Sequence, residues 1–521
     1  MRNRGNRNPK TKIIEKSSLF HRVHCVIFAI DLFLIRPAQA KRPLSWLTPQ
    51  GTETMQADIP PLAQADHWGL GVRLLATLSA LLLGMAIGLA ALGLFSTVQF
   101  FNDLWRVPLP GVLGLEELSF SPAVGAALLV AALVSGQLLR FFENGRPHGP
   151  ADLILGAQKN HSPNIKAGML SSLLATVNLS GGASVGVFGP LVHFGGCLSA
   201  LLARGFQPFT KAIPLDVVLG SGAAAAIAAV FSAPIGAAIM AHEAIIRRFG
   251  ALGAGPVIAA AFGAHWAAQN LVGDHRMFSV QSSPAITVET FVTAIGLGII
   301  TGVLSVVYIH AVTAAPGWAR SSKVPLVWRP LIPAAFLFLL SPLFPHLLGT
   351  GLGSVDLALA GKISLLLLVC LVALKILATS LCLGFGMFGG VFAPALFIGA
   401  LTGAAFDSLL SGVMPAGSSF AMLGAACCIA AVIGAPLASI VIVFELTGSY
   451  EWAVLAMVSV VVSQQVSRAM AGRSLFDRQL QLRGVQLADD HPPDASPHAS
   501  AADNAADPPA AHSAATSGKQ S

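Results

Sequence analysis

Gly186-Val187-Phe188-Gly189-Pro190 decides how this chain is read, because it returns 204 positions later as Gly390-Val391-Phe392-Ala393-Pro394. Each copy leads into an apolar run with a glycine at the matching place, Gly195 and Gly399. A second pair keeps almost the same spacing. Ala233-Pro234-Ile235 and Ala435-Pro436-Leu437 lie 202 positions apart, each with a glutamate nine residues after the proline, Glu243 and Glu445. Chance supplies one short match, not an ordered set. The spacing predicts two structural halves, about 71–272 and 285–482, and paired halves with interrupted apolar helices point to a transporter or channel.

The composition around the repeat agrees. Of 521 residues, 54% are hydrophobic and 11% charged, against about 25% charged in a soluble domain. The mean hydropathy is +0.72. The net charge of +7 comes mostly from an N-terminal arm and short loops. It forms no basic face for nucleic acid. This is the pattern of a polytopic membrane protein, and 52 Gly with 32 Pro argue against straight bundled helices. Many apolar runs fall short of the roughly 20 residues that cross a bilayer. Broken helices persist in a membrane only when buried in protein or lining a water-filled path.

The ends read differently. Residues 1–70 form a basic extension whose run from Val23 to Ile35 mimics a signal peptide. Residues 488–521 are Ala, Pro, Ser, His, Asp and Asn, a composition expected to be disordered. The cysteines show no CxxC pair and read as free core thiols. No nucleophile triad, metal cluster or nucleotide loop stands out, so neither an enzyme nor a cofactor is expected.

Proline is favoured at the first helical position, because its missing N–H would be unmet there anyway, and glycine ahead of it permits a tight turn. The remaining N–H groups of such a tip point outward at the positive end of the helix dipole. A helix start of this kind binds anions. Two starts facing each other hold a dehydrated anion with partial charges, firmly enough to admit it and weakly enough to release it.

These motifs resemble the CLC family of chloride channels and proton/chloride exchangers. Gly390-Val391-Phe392-Ala393-Pro394 is similar to the family's GxFxP loop, with Lys375 ahead of it where the family often has a basic residue. Ala435-Pro436 to Glu445-Leu446-Thr447-Gly448 resembles the penultimate helix, and Ser474-Leu475-Phe476-Asp477 the start of the last one. The resemblance implies an all-α membrane fold of two inverted halves with short, broken helices, in a homodimer with one pore per subunit. It places the protein in a bacterial plasma membrane, without the cytoplasmic nucleotide-binding domains of larger members.

The departures from the family carry the functional expectation. Family exchangers read Gly-Arg-Glu-Gly-Pro in the first loop, and that glutamate is gate and proton acceptor. Here the gate position holds Phe188. Alignment on Ala233-Pro234 puts Ala244 at the inner proton position, with Glu243 one residue earlier. The family's serine and tyrosine hydroxyls at the central site fall on Pro147 and Phe476. A proline at the serine position accompanies nitrate preference in some members. Phenylalanine and alanine do not titrate, so the expected function is passive, proton-uncoupled permeation of chloride or a similar small anion. The expected ligands are backbone groups of Gly186, Val187, Phe188, Gly189, Val391, Phe392 and Ala393. The alternatives are an antiporter using other carboxylates such as Glu243, and a non-conducting scaffold or sensor. Glu243 and Glu445 also read as helix caps, one per half. His193 reads as a core histidine or, more sharply, a pH sensor, and Arg146 as a surface charge or an electrostatic funnel.

Overall fold

A computed structural model describes residues 70–106, 122–205, 213–273, 286–410 and 420–485. The N-terminal arm with its signal-like run and the polar C-terminal segment lie outside them. The described residues are helical, and six helices are long and apolar enough to cross a membrane.

The helices run in two similar series. The first contains α1 (Leu70–Arg106), α2 (Pro122–Leu138), α3 (Pro150–Gln158), α4 (Ile165–Ser180), α5 (Phe188–Gly205), α6 (Leu215–Phe231), α7 (Pro234–Met240) and α8 (Ala251–Leu271). The second contains α9 (Val288–Ser321), α10 (Leu331–Leu340), α11 (Leu352–Leu359), α12 (Leu365–Gly384), α13 (Phe392–Leu410), α14 (Ala421–Ile433), α15 (Pro436–Thr447) and α16 (Tyr450–Ala471). A final helix, α17 (Leu475–Gln481), follows the second series. Its start is capped by the Ser474 hydroxyl, which accepts from the Asp477 N–H.

Composition explains the layering. Every residue of the alanine-rich α6 is buried, as expected of a helix that is apolar all round. The outward faces of α1 and α9 expose Leu74, Leu78, Leu82, Val292, Ile299 and Val307, where hydrocarbon is the matching solvent. The paired glycines have a packing role. A Cβ on Gly195 would sit 2.3 Å from Gly222 O, and one on Gly399 2.1 Å from Gly424 O. The two α5–α6 and α13–α14 contacts are therefore backbone to backbone.

Three details differ from the sequence reading. The helices after the repeated motif begin at Phe188 and Phe392, so Pro190 and Pro394 stand third in the first turn. Two short helices, α3 and α11, were too brief and too polar to register as apolar runs. The run from Ile235 to Ile246 is not uniform. After α7 it widens into a π-turn over Ala241–Ile246 and stops at Arg247, whose φ is +59°.

Candidate functional site

The two copies of the repeated motif touch. Gly186 N–H donates to Gly390 O at 2.7 Å, and Gly390 N–H donates back to Gly186 O at 2.5 Å. This reciprocal antiparallel pair relates the loops by a local two-fold operation. Glycine is required here. A Cβ on Gly390 would lie 2.6 Å from Gly189 N, and one on Gly186 2.9 Å from Gly390 O. The starts of α5 and α13 thus meet inside the protein.

The next three amides on each side remain open. Among the described residues, the N–H groups of Val187, Phe188 and Gly189, and of Val391, Phe392 and Ala393, donate to no protein acceptor. All six residues are buried. The amides resume pairing at Leu191, which donates to Val187 O at 3.0 Å, and at Ala395, which donates to Val391 O at 3.1 Å. A buried unmet N–H costs about 1–3 kcal/mol, so six together form a strong demand for a negative partner.

Two partly exposed helix starts show how such amides are met elsewhere. Glu243 accepts from Leu437 N–H at 3.1 Å and Ala438 N–H at 2.9 Å, at the start of α15. Glu445 accepts from Ile235 N–H at 2.9 Å and Gly236 N–H at 2.7 Å, at the start of α7. Each glutamate caps the helix of the opposite half, as the capping reading expected, though the partner half was not legible. The starts of α7 and α15 therefore have carboxylates, while those of α5 and α13 have none among the described residues.

Phe188 is buried in an aromatic cluster. Its ring stacks on Phe231 with centroids 4.0 Å apart and planes 27° apart. Phe392 meets both edge-on, at 5.3 Å from Phe188 and 5.1 Å from Phe231. Phe231 and Phe392 also line a small apolar cavity with Leu396, Met422, Ile429 and Ile442. Ala244 is buried and offers only a methyl group.

Pro147 lies in a loop whose amides are already used. His148 N–H donates to Ser171 Oγ at 2.8 Å, and Gly149 N–H to Asp152 Oδ2 at 2.9 Å. Pro150, at the start of α3, lies against Gly189, within 3.6 Å of where a Cβ there would stand. Asp152 also accepts from Arg146 and Arg483, both at 3.0 Å. Burial pushes the Asp152 carboxyl up, but Arg483, Arg146 and the Gly149 N–H together hold it below the usual carboxylate range. Arg146 is thus an exposed ion-pair partner of Asp152. Phe476 is buried, and α17 packs against α3, α9 and α14. His193 is fully buried with Nε2 3.6 Å from Cys197 Sγ. Lys375 is fully buried, with Nζ 2.9 Å from Gly349 O and 3.3 Å from Leu347 O, and 5.0 Å from the Phe397 ring centroid. Cys197, Cys382, Cys427 and Cys428 are buried free thiols.

Sequence reasoning missed three neighbours of these loops. Phe231 carries no periodic signal linking it to Phe188. Tyr308 donates its hydroxyl to Val391 O from a helix 83 residues upstream. Asp152 was findable, since an acid in the first turn after Gly149-Pro150 is a capping signature.

The sequence model of voltage-gated chloride channels matches residues 130–468. The chain belongs to the voltage-gated chloride channel family. The voltage-gated ClC-type chloride channel ClcB of Shigella flexneri is 27% identical over 363 residues, covering 68% of this chain and 85% of its own length. ClcB of Escherichia coli strain SMS-3-5 gives the same identity and coverage. Among solved structures, a slow cyanobacterial Cl−/H+ antiporter superposes with a TM-score of 0.68 at 21% identity, over 78% of this chain and 98% of its own. A CLC-type fluoride/proton antiporter gives 0.63 at 20% identity, over 78% and 96%. A eukaryotic CLC transporter gives 0.64 at 19%, over 79% and 74%. The fold is that of CLC transporters, and the protein is a multi-pass membrane anion transporter rather than an enzyme.

Proposed function

We propose that this CLC protein is a passive, channel-like pathway for chloride or a similar small anion, uncoupled from protons. The observation that carries the reading is the pair of open helix starts that meet at the Gly186–Gly390 bridge. Carboxylates occupy the partly exposed starts of α7 and α15, and the amides of Val187, Phe188, Gly189, Val391, Phe392 and Ala393 stay open where the loops cross. A permeating anion is the partner that both fits these dipoles and leaves again.

The uncoupled character follows from the side chains. Proton exchange requires a titratable group that competes with the anion. Phe188 is held among rings, Ala244 carries no proton, and Glu243 is engaged by two amides of α15. The central site lacks side-chain hydroxyls at Pro147 and Phe476, so main-chain dipoles dominate selectivity, which favours nitrate as well as chloride. Self-association in the bilayer forms a further part of the proposal. Ile235, Ile258, Phe262, Leu437 and Phe444 on α7, α8 and α15 are exposed, and a second copy would cover them.

Reconstitution into liposomes tests the reading. A chloride gradient drives anion efflux with no accompanying proton movement. Net proton uptake driven by that gradient would establish exchange instead, and absence of halide and nitrate flux would establish a non-conducting role.

A further inference from the structure

The two loops are not equivalent at one atom. Val187 O in the first loop accepts from the Leu191 N–H. Val391 O in the second accepts from the Ala395 N–H and also from the hydroxyl of Tyr308, at 3.2 Å. Tyr308 lies on α9, which packs against α13, and it is among the largest fully buried side chains. It is one of only two tyrosines in the chain.

A peptide group transmits what happens at its oxygen. Donation to the carbonyl polarises the whole amide, and chains of hydrogen bonds strengthen one another in a low-dielectric interior. The peptide that begins with Val391 C=O ends with the Phe392 N–H, one of the open amides. A donor behind the loop therefore makes the amide in front of it a better anion ligand. It also pins the peptide plane, so the N–H keeps its aim when the site is empty.

We infer that Tyr308 is a positioning residue for the anion site: its hydroxyl orients and polarises the Val391–Phe392 peptide, making the second loop the stronger of the two ligands. The inference rests on the proposed main-chain anion site. A more polarised N–H favours charge-dense ions, so Tyr308 biases the site toward chloride over nitrate.

The test compares the full chain with Tyr308→Phe, which removes only the hydroxyl. Chloride affinity is measured by calorimetry in detergent, and chloride/nitrate permeability from reversal potentials in bilayers. Loss of one hydrogen bond weakens chloride binding about three- to tenfold and lowers the chloride/nitrate ratio. A filler of space would leave that ratio unchanged. If the phenylalanine variant does not fold, replacing Tyr308 by meta-fluorotyrosine, a stronger donor of nearly the same shape, tightens chloride binding. Unchanged affinity and selectivity in either folded variant overturns the inference while leaving the anion site in place. Absence of chloride binding and flux in the unaltered protein removes the site itself.

Discussion

Glu243 and Glu445 exchange caps across the molecule: Glu243 sits on the first amides of the α15 helix that carries Glu445, and Glu445 sits on the first amides of α7, just ahead of Glu243. The exchange ties the two halves of the chain together. It also gives each half-buried acid a structural duty. Glu243→Ala leaves the Leu437 and Ala438 amides unmet and should cost about 1–3 kcal/mol of stability, read as a lowered midpoint of thermal unfolding in detergent. Glu243→Gln retains an acceptor and loses less. Anion flux through the folded Gln variant stays proton-independent. A changed proton-to-anion stoichiometry in that variant would assign Glu243 to a proton path.

Phe188→Glu restores a titratable group beside the open amides. The carboxylate then competes with the anion, so flux becomes pH-dependent, low where the acid is ionised and higher where it is protonated. Stopped-flow or electrode assays of chloride efflux over several pH values read this directly. Flux that stays flat with pH would place Phe188 away from the ion path.

The crossing itself tolerates no side chain. Gly390→Ala drives a methyl group into Gly189 N, which is backbone and cannot swing aside. The expected result is loss of anion flux together with reduced stability, measured on the same preparation. A fully active Gly390→Ala protein means that the two loops can separate without consequence.

Much of this was legible because it repeats. Gly186 and Gly390 lie 204 positions apart, and the two Ala-Pro segments and Glu243 and Glu445 lie 202 apart, and so regular a spacing is visible in a linear string. Helix starts were legible from glycine and proline, whose backbone preferences are local. Partners were not. Nothing near Glu243 indicates that its carboxylate reaches α15 instead of its own half. Nothing near Phe188 indicates the ring of Phe231, and nothing in α9 marks Tyr308 as a neighbour of Val391. These are tertiary contacts between residues tens to hundreds of positions apart. The π-turn after α7 was hidden for a related reason, since Ala241–Ile246 shows no glycine or proline to mark the change of winding.

Asp152 makes a pH-dependent contribution outside the spanning helices. Arg483, Arg146 and the Gly149 N–H overcome its burial and hold its folded carboxyl below the unfolded value. Its stabilising effect is therefore complete above the unfolded pKa of about 4 and is lost as pH falls through the lower, folded value. The difference in thermal midpoint between the unaltered protein and Asp152→Asn should be full at neutral pH and should shrink only in acid below that point. A difference that is constant with pH would mean the charge of Asp152 is not what Arg483 and Arg146 recognise.

The central claim is that six open amides hold a dehydrated anion where the two loops cross, and anomalous diffraction from a bromide-soaked crystal tests it most directly. The account predicts a bromide peak within hydrogen-bond reach of the amides beside Phe188 and Phe392. Bromide found only elsewhere in a protein that still passes anions would contradict it.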